Sequence, residues 1–350
     1  MKAVIINQFG SPDVLEYVDI SKPIPQAGEV LVKNVAIGAW KPDCLVRSGH
    51  YPYLKKQPPM LTIGNECAGY VEAVGEGVTD FKPGMPVWVV HMPGYGAYAE
   101  YTCVDQSYVT VLPETISPDI APGLGSYTVA YSMLNDAGRG TDGKSLYILG
   151  GAGNVGTALI KIALAQGWEV ISAADTLEKC EHLERIETTH VFDCTKRDQY
   201  EAVMEFTNGR GVDLVFDQWV GEKLYPELKL LADFGMIVVY NWMEGAPKDP
   251  FFPHMVQQAT HATAVRPFST HVYDNNPERK KKLQQDVFDL ISSGKVVPDF
   301  YGRMPLSEAK QAHELLDNNK IISPLIIRIH FTICCTFFID FFHIFENFFF

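Results

Sequence analysis

Short apolar runs separated by polar turns fill the first 110 residues. MKAVIIN, EVLVKNVAIG, CAGYVEAVG, MPVWVV and AEYTCV are apolar or alternate with period two, and turn signals such as Phe81-Lys82-Pro83-Gly84 divide them. This pattern predicts a β-rich, barrel-like region. One short helix interrupts it: Pro42 suits a first helical position, Asp43 complements the dipole and Gly49 supplies the stop. From about residue 123 the rhythm changes. SLYILG, WEVISAAD, HVFDC, VDLVFD, MIVVYN and ATAVRPF read as strands. TALIKIALAQG, the polar segment from Thr176 and YEAVMEFTNG read as helices, and LKLLADFG lies between VDLVFD and MIVVYN. Strands alternating with helices of about ten residues build βαβ units and a parallel sheet. Beyond residue 270, PERKKKLQQDVFDLISSG reads as an amphipathic helix whose Arg279–Lys282 run is a solvated face. SEAKQAHELLDNN and SPLIIRI supply another helix and a final strand. No internal repeat is visible.

Length and charge narrow the picture. The 350 residues, at roughly 150 per domain, argue for two domains. A formal charge of −13 argues against nucleic acid as a partner, because phosphate backbones need a concentrated basic surface. The seven cysteines include no C-x-x-C, and no H-E-x-x-H occurs, which argues for a reducing, cytoplasmic setting over a disulfide framework or a cysteine-rich zinc lobe. MKAVIINQFGSP has no apolar region of secretory-signal length. One feature stands apart: nine of the 20 phenylalanines fall in the last 20 residues. Asp340 and Glu346 interrupt that segment, whose longest uncharged stretch is short of the ~20 residues of a membrane span. We expect residues 331–350 to be an unselected extension outside the fold, in preference to a membrane or partner anchor.

The strongest chemical signal is Gly151-Ala152-Gly153-Asn154-Val155-Gly156. It follows a predicted strand, opens a predicted helix, and precedes a second strand ending at Asp175, 19 residues past Gly156. Gly151 permits the tight turn, Gly153 lets a pyrophosphate approach the backbone, and Gly156 allows close helix–strand packing. The helix N-terminus, with Asn154 and Val155, offers N–H groups to the phosphates. The expected cofactor is a nicotinamide dinucleotide, NAD(P)H. Asp175 favours NADH, since it accepts from both ribose hydroxyls and repels a 2′-phosphate by about 4 kcal/mol per charge pair at ~4 Å and an effective dielectric of ~20. Lys179, one helical turn on, points toward NADPH or is a plain exposed lysine.

With these residues in hand, the chain resembles the medium-chain dehydrogenase/reductase superfamily over about residues 1–329. A second signature carries the likeness: Gly64-Asn65-Glu66-Cys67-Ala68-Gly69, Val74-Gly75 and Phe81-Lys82-Pro83-Gly84. The resemblance implies an α/β fold: a GroES-like β-barrel-type catalytic domain (residues 1–122 and 269–330) plus a Rossmann doubly wound parallel sheet (residues 123–268). In the zinc members, G-H-E-x-x-G supplies a histidine ligand where Asn65 stands. Trp40 stands at a cysteine ligand's place and the remaining position falls near Leu124, so no metal is expected. The zinc-free quinone oxidoreductases (zeta-crystallin-like proteins) are more similar, with Leu45-Val46-Arg47-Ser48-Gly49-His50-Tyr51-Pro52 like their segment after the first helix. The G-N-E form around Asn65 is also similar to the enoyl-thioester reductases. The quinone reductases usually carry asparagine at Trp40. They prefer NADPH through a lysine matched by Lys179, a tyrosine matched by Cys194 and an arginine near Asn319, and they generally have glycine at Asp175. Superfamily members commonly dimerise by pairing the strand matched by ATAVRPF, so the resemblance implies a homodimer.

Without a metal, the expected acceptor delocalises the arriving charge itself: a quinone or enone, or alternatively an enoyl-thioester. Tyr51 is the candidate catalytic donor, its phenol able to hydrogen-bond or protonate a developing enolate, unless it is a packing tyrosine. Trp40 and Asn65 complete the expected substrate pocket, Trp40 as an apolar wall or as core. Thr128 and Tyr131 resemble positions beside the nicotinamide, though the same spacing suits a packed helix. Asp43 reads as a helix-start residue, and Asp217 as a turn cap or a cofactor-side orienting group. Lone histidines such as His91 read as structural. The competing function class is a non-catalytic nicotinamide-nucleotide-binding protein whose pocket Trp40 blocks.

Overall fold

A single long strand organises the N-terminal half. Glu29–Ala39 pairs antiparallel with Glu66–Val74, Tyr101–Asp105 and Leu325–Arg328. The resulting seven-stranded sheet runs Gly302–Pro305, Leu325–Arg328, Glu29–Ala39, Glu66–Val74, Pro86–Val90 and Val109–Val111, with Tyr101–Asp105 beside Glu29–Ala39. The last described strands therefore return to the first sheet. Lys2–Ile6 forms a separate small sheet with Leu15–Asp19 and Leu61–Thr62. Inward residues of these strands, among them Val30, Val32, Ile37, Val71, Val87, Val89 and Ile327, make one apolar core. In this computed structural model the described residues are 1–51, 54, 56–90, 96–141, 143–318, 320–322 and 325–329. His91, Pro52, Asn319 and the phenylalanine-rich segment 331–350 lie outside them.

The helix foreseen at Pro42 spans Lys41–Ser48, with Gly49 left-handed at φ 80° to end it. The two-residue strand Leu61–Thr62 and the short strands Leu15–Asp19, Val109–Val111 and Gly302–Pro305 were not legible, because pieces this short carry no period of their own.

The parallel sheet comprises β1 (Ser145–Ile148), β2 (Glu169–Ala174), β3 (His190–Asp193), β4 (Val212–Asp217), β5 (Leu231–Val239) and β6 (Ala264–Pro267). Their order is β3-β2-β1-β4-β5-β6, the doubly wound order that reverses direction beside β1. Alternate residues of each strand enter different cores. Leu146, Ile148, Leu214 and Phe216 face one, and Tyr147, Leu149, Val215 and Ile237 face the other. Burial on both faces explains why these strands are apolar throughout. One crossover departs from the ten-residue pattern. Between β4 and β5 the chain makes three short turns, Gly221–Lys223, Leu224–Glu227 and Leu228–Leu230, and LADFG already belongs to β5. Helix Pro277–Ser292 bridges the halves: Val287 joins a core of the parallel sheet, while Phe288 meets Trp88 edge-on at 6.0 Å.

Gly69 faces Asn34 where the register between Glu29–Ala39 and Glu66–Val74 shifts, and a Cβ there would collide with the Lys33 carbonyl oxygen. Gly69→Ala should therefore cost about 1–3 kcal/mol in urea unfolding, as overpacking against backbone does. Gly302→Ala, with nothing within 4 Å of the added carbon, should be nearly neutral. Equal effects would show that the close approach at Gly69 does not constrain the sheet.

Candidate active site and cofactor crevice

The fingerprint turn lies between β1 and helix Asn154–Ala165. Its glycines answer to different demands. A side chain on Gly151 would strike the Ser172 hydroxyl of β2, and one on Gly156 would approach Gly151 Cα to 2.6 Å. Those two are small because the chain packs against itself. Gly153 is different: a Cβ there would meet nothing nearer than 3.4 Å, and Gly153, Asn154 and Val155 are partly exposed. Open backbone at a helix N-terminus, whose first N–H groups lack intrahelical partners, fits a diphosphate. Thr157 locks the helix to the turn, donating to the Gly151 carbonyl at 3.3 Å and meeting His182 Nε2 at 2.9 Å.

At the end of β2 the two residues with opposite implications for the dinucleotide are bound to each other. Asp175 and Lys179 form an ion pair of 2.7 Å. Hydrogen bonding to Lys179 pulls the Asp175 carboxyl below its ordinary range, against a smaller opposing effect of burial. Thr176 caps the following helix by accepting the Lys179 N–H at 3.3 Å. Cys194 sits at the same end, its amide donating to the Ala174 carbonyl at 2.9 Å.

Two acids, Asp43 and Glu66, are buried near Trp40 and Asn65. Glu66 begins strand Glu66–Val74 and is only 3% exposed. Its Oε1 accepts from Trp88 Nε1 at 2.8 Å and from the Gly123 and Gly125 amides at 3.0 and 3.3 Å. Burial raises its pKa to about 7, against the pull of those donors. Asp43 is wholly buried. It does start the helix, accepting the Trp40 amide at 2.9 Å, but burial, with Glu66 as a further negative neighbour, lifts it to about 8. The Trp40 indole is folded against Gly38, so closely that a Cβ there would overlap its ring. Trp40 Nε1, Asp43 Oδ1 and Asn65 Oδ1 are buried without hydrogen-bond geometry to any described residue. Buried polar atoms are normally paired, so such a cluster is where a ligand can complete the bonding. Leu124 is buried in an apolar cluster. Indole, carboxamide and leucine do not fit zinc, and among the described residues no group of three or more His, Cys, Asp or Glu could hold a metal.

The remaining expected site residues are distributed. Tyr51 follows the helix Lys41–Ser48, its amide donating to the Leu45 carbonyl at 3.2 Å and its partly buried ring packing on the N-terminal core. Thr128 and Tyr131 lie in helix Leu124–Ser132, which Glu66 caps. The Thr128 hydroxyl donates to the Leu124 carbonyl at 3.0 Å. Tyr131 is raised in pKa by burial first and then by Asp286 of the bridging helix. Glu66 stands within the signature Gly64–Gly69, which assigns it no role. The available signal was a carboxylate at an inward position of a strand, where charge is rare unless satisfied.

A family model described as the alcohol dehydrogenase GroES-like domain matches residues 26–114, and one described as zinc-binding dehydrogenase matches residues 154–291. The quinone oxidoreductase of Rattus norvegicus is 30% identical over 322 residues, covering 90% of this chain and 93% of the relative. A 2-haloacrylate reductase from Burkholderia sp is 27% identical, with 93% of this chain and 98% of that protein covered. The Escherichia coli quinone oxidoreductase solved in complex with NADPH superposes with a TM-score of 0.82 at 25% identity, covering 94% of this chain and all 100% of that one.

The Glu66 environment has a pH signature. Its folded pKa of about 7 lies above the ordinary 4.5, so its stabilising contribution is complete below pH 4.5 and is lost as pH rises through 7. Glu66→Gln cannot ionise. Between pH 5 and 8 the stability difference should therefore move in the variant's favour by roughly 2–4 kcal/mol. Urea unfolding at the two pH values checks this, and a constant difference would overturn it.

Proposed function

The chain belongs to the medium-chain dehydrogenase/reductase superfamily, on its quinone oxidoreductase branch, and from that premise we propose that it reduces a conjugated acceptor such as a quinone or enone with NAD(P)H. The observation that carries this reading is the exposed, unfilled face of Gly153 at the helix N-terminus, set in a doubly wound sheet. When bound, the nicotinamide supplies a hydride. The protein's own residues do the rest. The backbone of Gly151, Gly153, Asn154, Val155 and Gly156 takes the diphosphate, Asp175 and Lys179 address the adenosine ribose, and Thr128 and Tyr131 border the nicotinamide end. Trp40, Asn65 and Tyr51 face the acceptor, and the Tyr51 phenol supplies a hydrogen bond or proton to the developing enolate.

This chemistry works without zinc. Trp40, Asn65 and Leu124 offer no ligand set, and a conjugated acceptor spreads the added charge without a Lewis acid. We divide the chain into a catalytic domain (residues 1–122 and 269–330) and a dinucleotide domain (123–268), a division supported by the return of Gly302–Pro305 and Leu325–Arg328 to the first sheet. We extend the reading to a cytoplasmic homodimer. Cysteine usage supports the location, and β6 is at the edge of its sheet, where a second copy would pair. No helix among the described residues is long and apolar enough to cross a membrane.

Purified protein mixed with NADH or NADPH and a panel of quinones, enones and enoyl-thioesters should consume reduced nicotinamide. Tight cofactor binding with no turnover on any acceptor would favour the non-catalytic alternative. Tyr51→Phe should slow enone and enoyl-thioester reduction by roughly 10²-fold or more and quinone reduction much less. Equal losses would remove Tyr51 as proton donor. Asp175→Gly frees Lys179 for a 2′-phosphate and should raise the preference for NADPH over NADH at least about tenfold. An unchanged ratio of kcat/KM values would defeat that assignment.

A further inference from the structure

We propose that Asp217 and Glu227 share a single proton and act as positioning residues for the turn Gln218–Gly221, one wall of the cofactor crevice; this rests on the reading of that crevice as the NAD(P)H site. Asp217 ends β4 and is wholly buried. Its carboxylate accepts the Trp219 amide at 2.6 Å and the Val220 amide at 3.0 Å. Glu227, in the short crossover turn, is equally buried. No N–H or hydroxyl donor among the described residues reaches either of its oxygens, and the carboxyl beside it is that of Asp217.

Two buried carboxyls in contact cannot both be ionised. The charged and titratable groups facing the pair from the surrounding elements are Lys223, Glu244, Tyr240 and Tyr147, with Cys194 and Asp198 further out beside Tyr147. The one cation among them, Lys223, is engaged with Glu244 at 2.8 Å. The proton belongs on Glu227, because Asp217 alone has backbone donors that favour the anion. Burial first, then the charge of Asp217, raises Glu227 to about 9. A protonated Glu227 donates to Asp217, which remains an anion and grips the turn.

That turn needs gripping. Val220 has φ 59°, a positive value that is a genuine outlier for a β-branched residue, and Gly221 follows at φ 54°. The turn also reaches the fingerprint. The Gln218 amide group covers the α-carbon of Gly150 so closely that a Cβ there would overlap it. Three backbone hydrogen bonds fasten the turn to the segment after β5: Met243 to Gln218, Glu244 to Trp219 and Gly221 to Gly245. Loss of the shared proton sets two anions side by side beneath this wall and loosens the grip of Asp217.

The test uses the full-length protein, following the Trp219 and Val220 amides by NMR and the Kd for NADH and NADPH from pH 7 to 10. In the parent, the amides should shift and the cofactor Kd should weaken at least tenfold with rising pH, with KM for cofactor rising more than kcat falls. Glu227→Gln keeps a neutral donor, so its Kd at pH 7 should stay within twofold and the alkaline change should vanish from both readouts. Glu227→Met fills the space without a donor and should weaken Kd at pH 7 with little change in Tm. Identical pH profiles in the parent and Glu227→Gln would overturn the proposal, and parental Kd values in Glu227→Met would do so without relying on the glutamine variant. If the amides titrate as expected but neither cofactor binds at any pH, the crevice reading fails and the positioning role with it, while the shared proton stands.

Discussion

The buried carboxyl of Glu66 joins the two halves of the molecule. It leaves the first strand position of a sheet in the N-terminal domain, takes the indole N–H of Trp88 in the neighbouring strand, and caps helix Leu124–Ser132, through which the chain passes to the parallel sheet. A carboxyl so deeply placed must either be neutral or be surrounded by donors, and Glu66 lies near the boundary between those states. Around it are Asp43, a second buried acid, and the Trp40 indole. The start of helix Leu124–Ser132, which carries Thr128 and Tyr131, is thus fixed by a carboxyl from the first sheet.

The crevice is built on a different constraint, the closeness of backbone to backbone. Gly151 and Gly156 are consumed by internal contacts with Ser172 and with the turn itself, whereas a Cβ at Gly153 would meet nothing nearer than 3.4 Å. Beside it, against Gly150, the segment Asp217–Gly221 holds Val220 at positive φ while the Asp217 carboxylate accepts the Trp219 and Val220 amides. Both the turn and its wall sit at the C-terminal ends of strands, where a doubly wound sheet opens beside its point of reversal. The ribose end shows a third principle. Asp175 and Lys179, opposite charges one helical turn apart, are bound to each other at 2.7 Å.

Much of this architecture was legible in the chain. The period-two runs, the helix from Pro42 to Gly49 and the alternation after residue 123 reflect local burial patterns that a sequence displays directly. The glycine spacing from Gly151 to Gly156 likewise states a local backbone requirement. The crossover after β4 was not legible, because LKLLADFG is apolar enough for either helix or strand and only pairing with β4 assigns its end to β5. Trp40 read as a wall or as core. Its ring folds over Gly38, a contact between residues two apart that no pattern announces.

The sequence by itself therefore determined the fold class and the dinucleotide turn, since each rests on residue type at short, fixed spacing. Tertiary structure alone decided the state of the acids. Asp43 and Glu66 lie 23 positions apart, and Asp217 and Glu227 belong to a strand and a separate crossover turn. Whether such a carboxyl is charged depends on the water removed from it and the donors brought to it, and both are supplied by distant segments that meet only when the chain is folded.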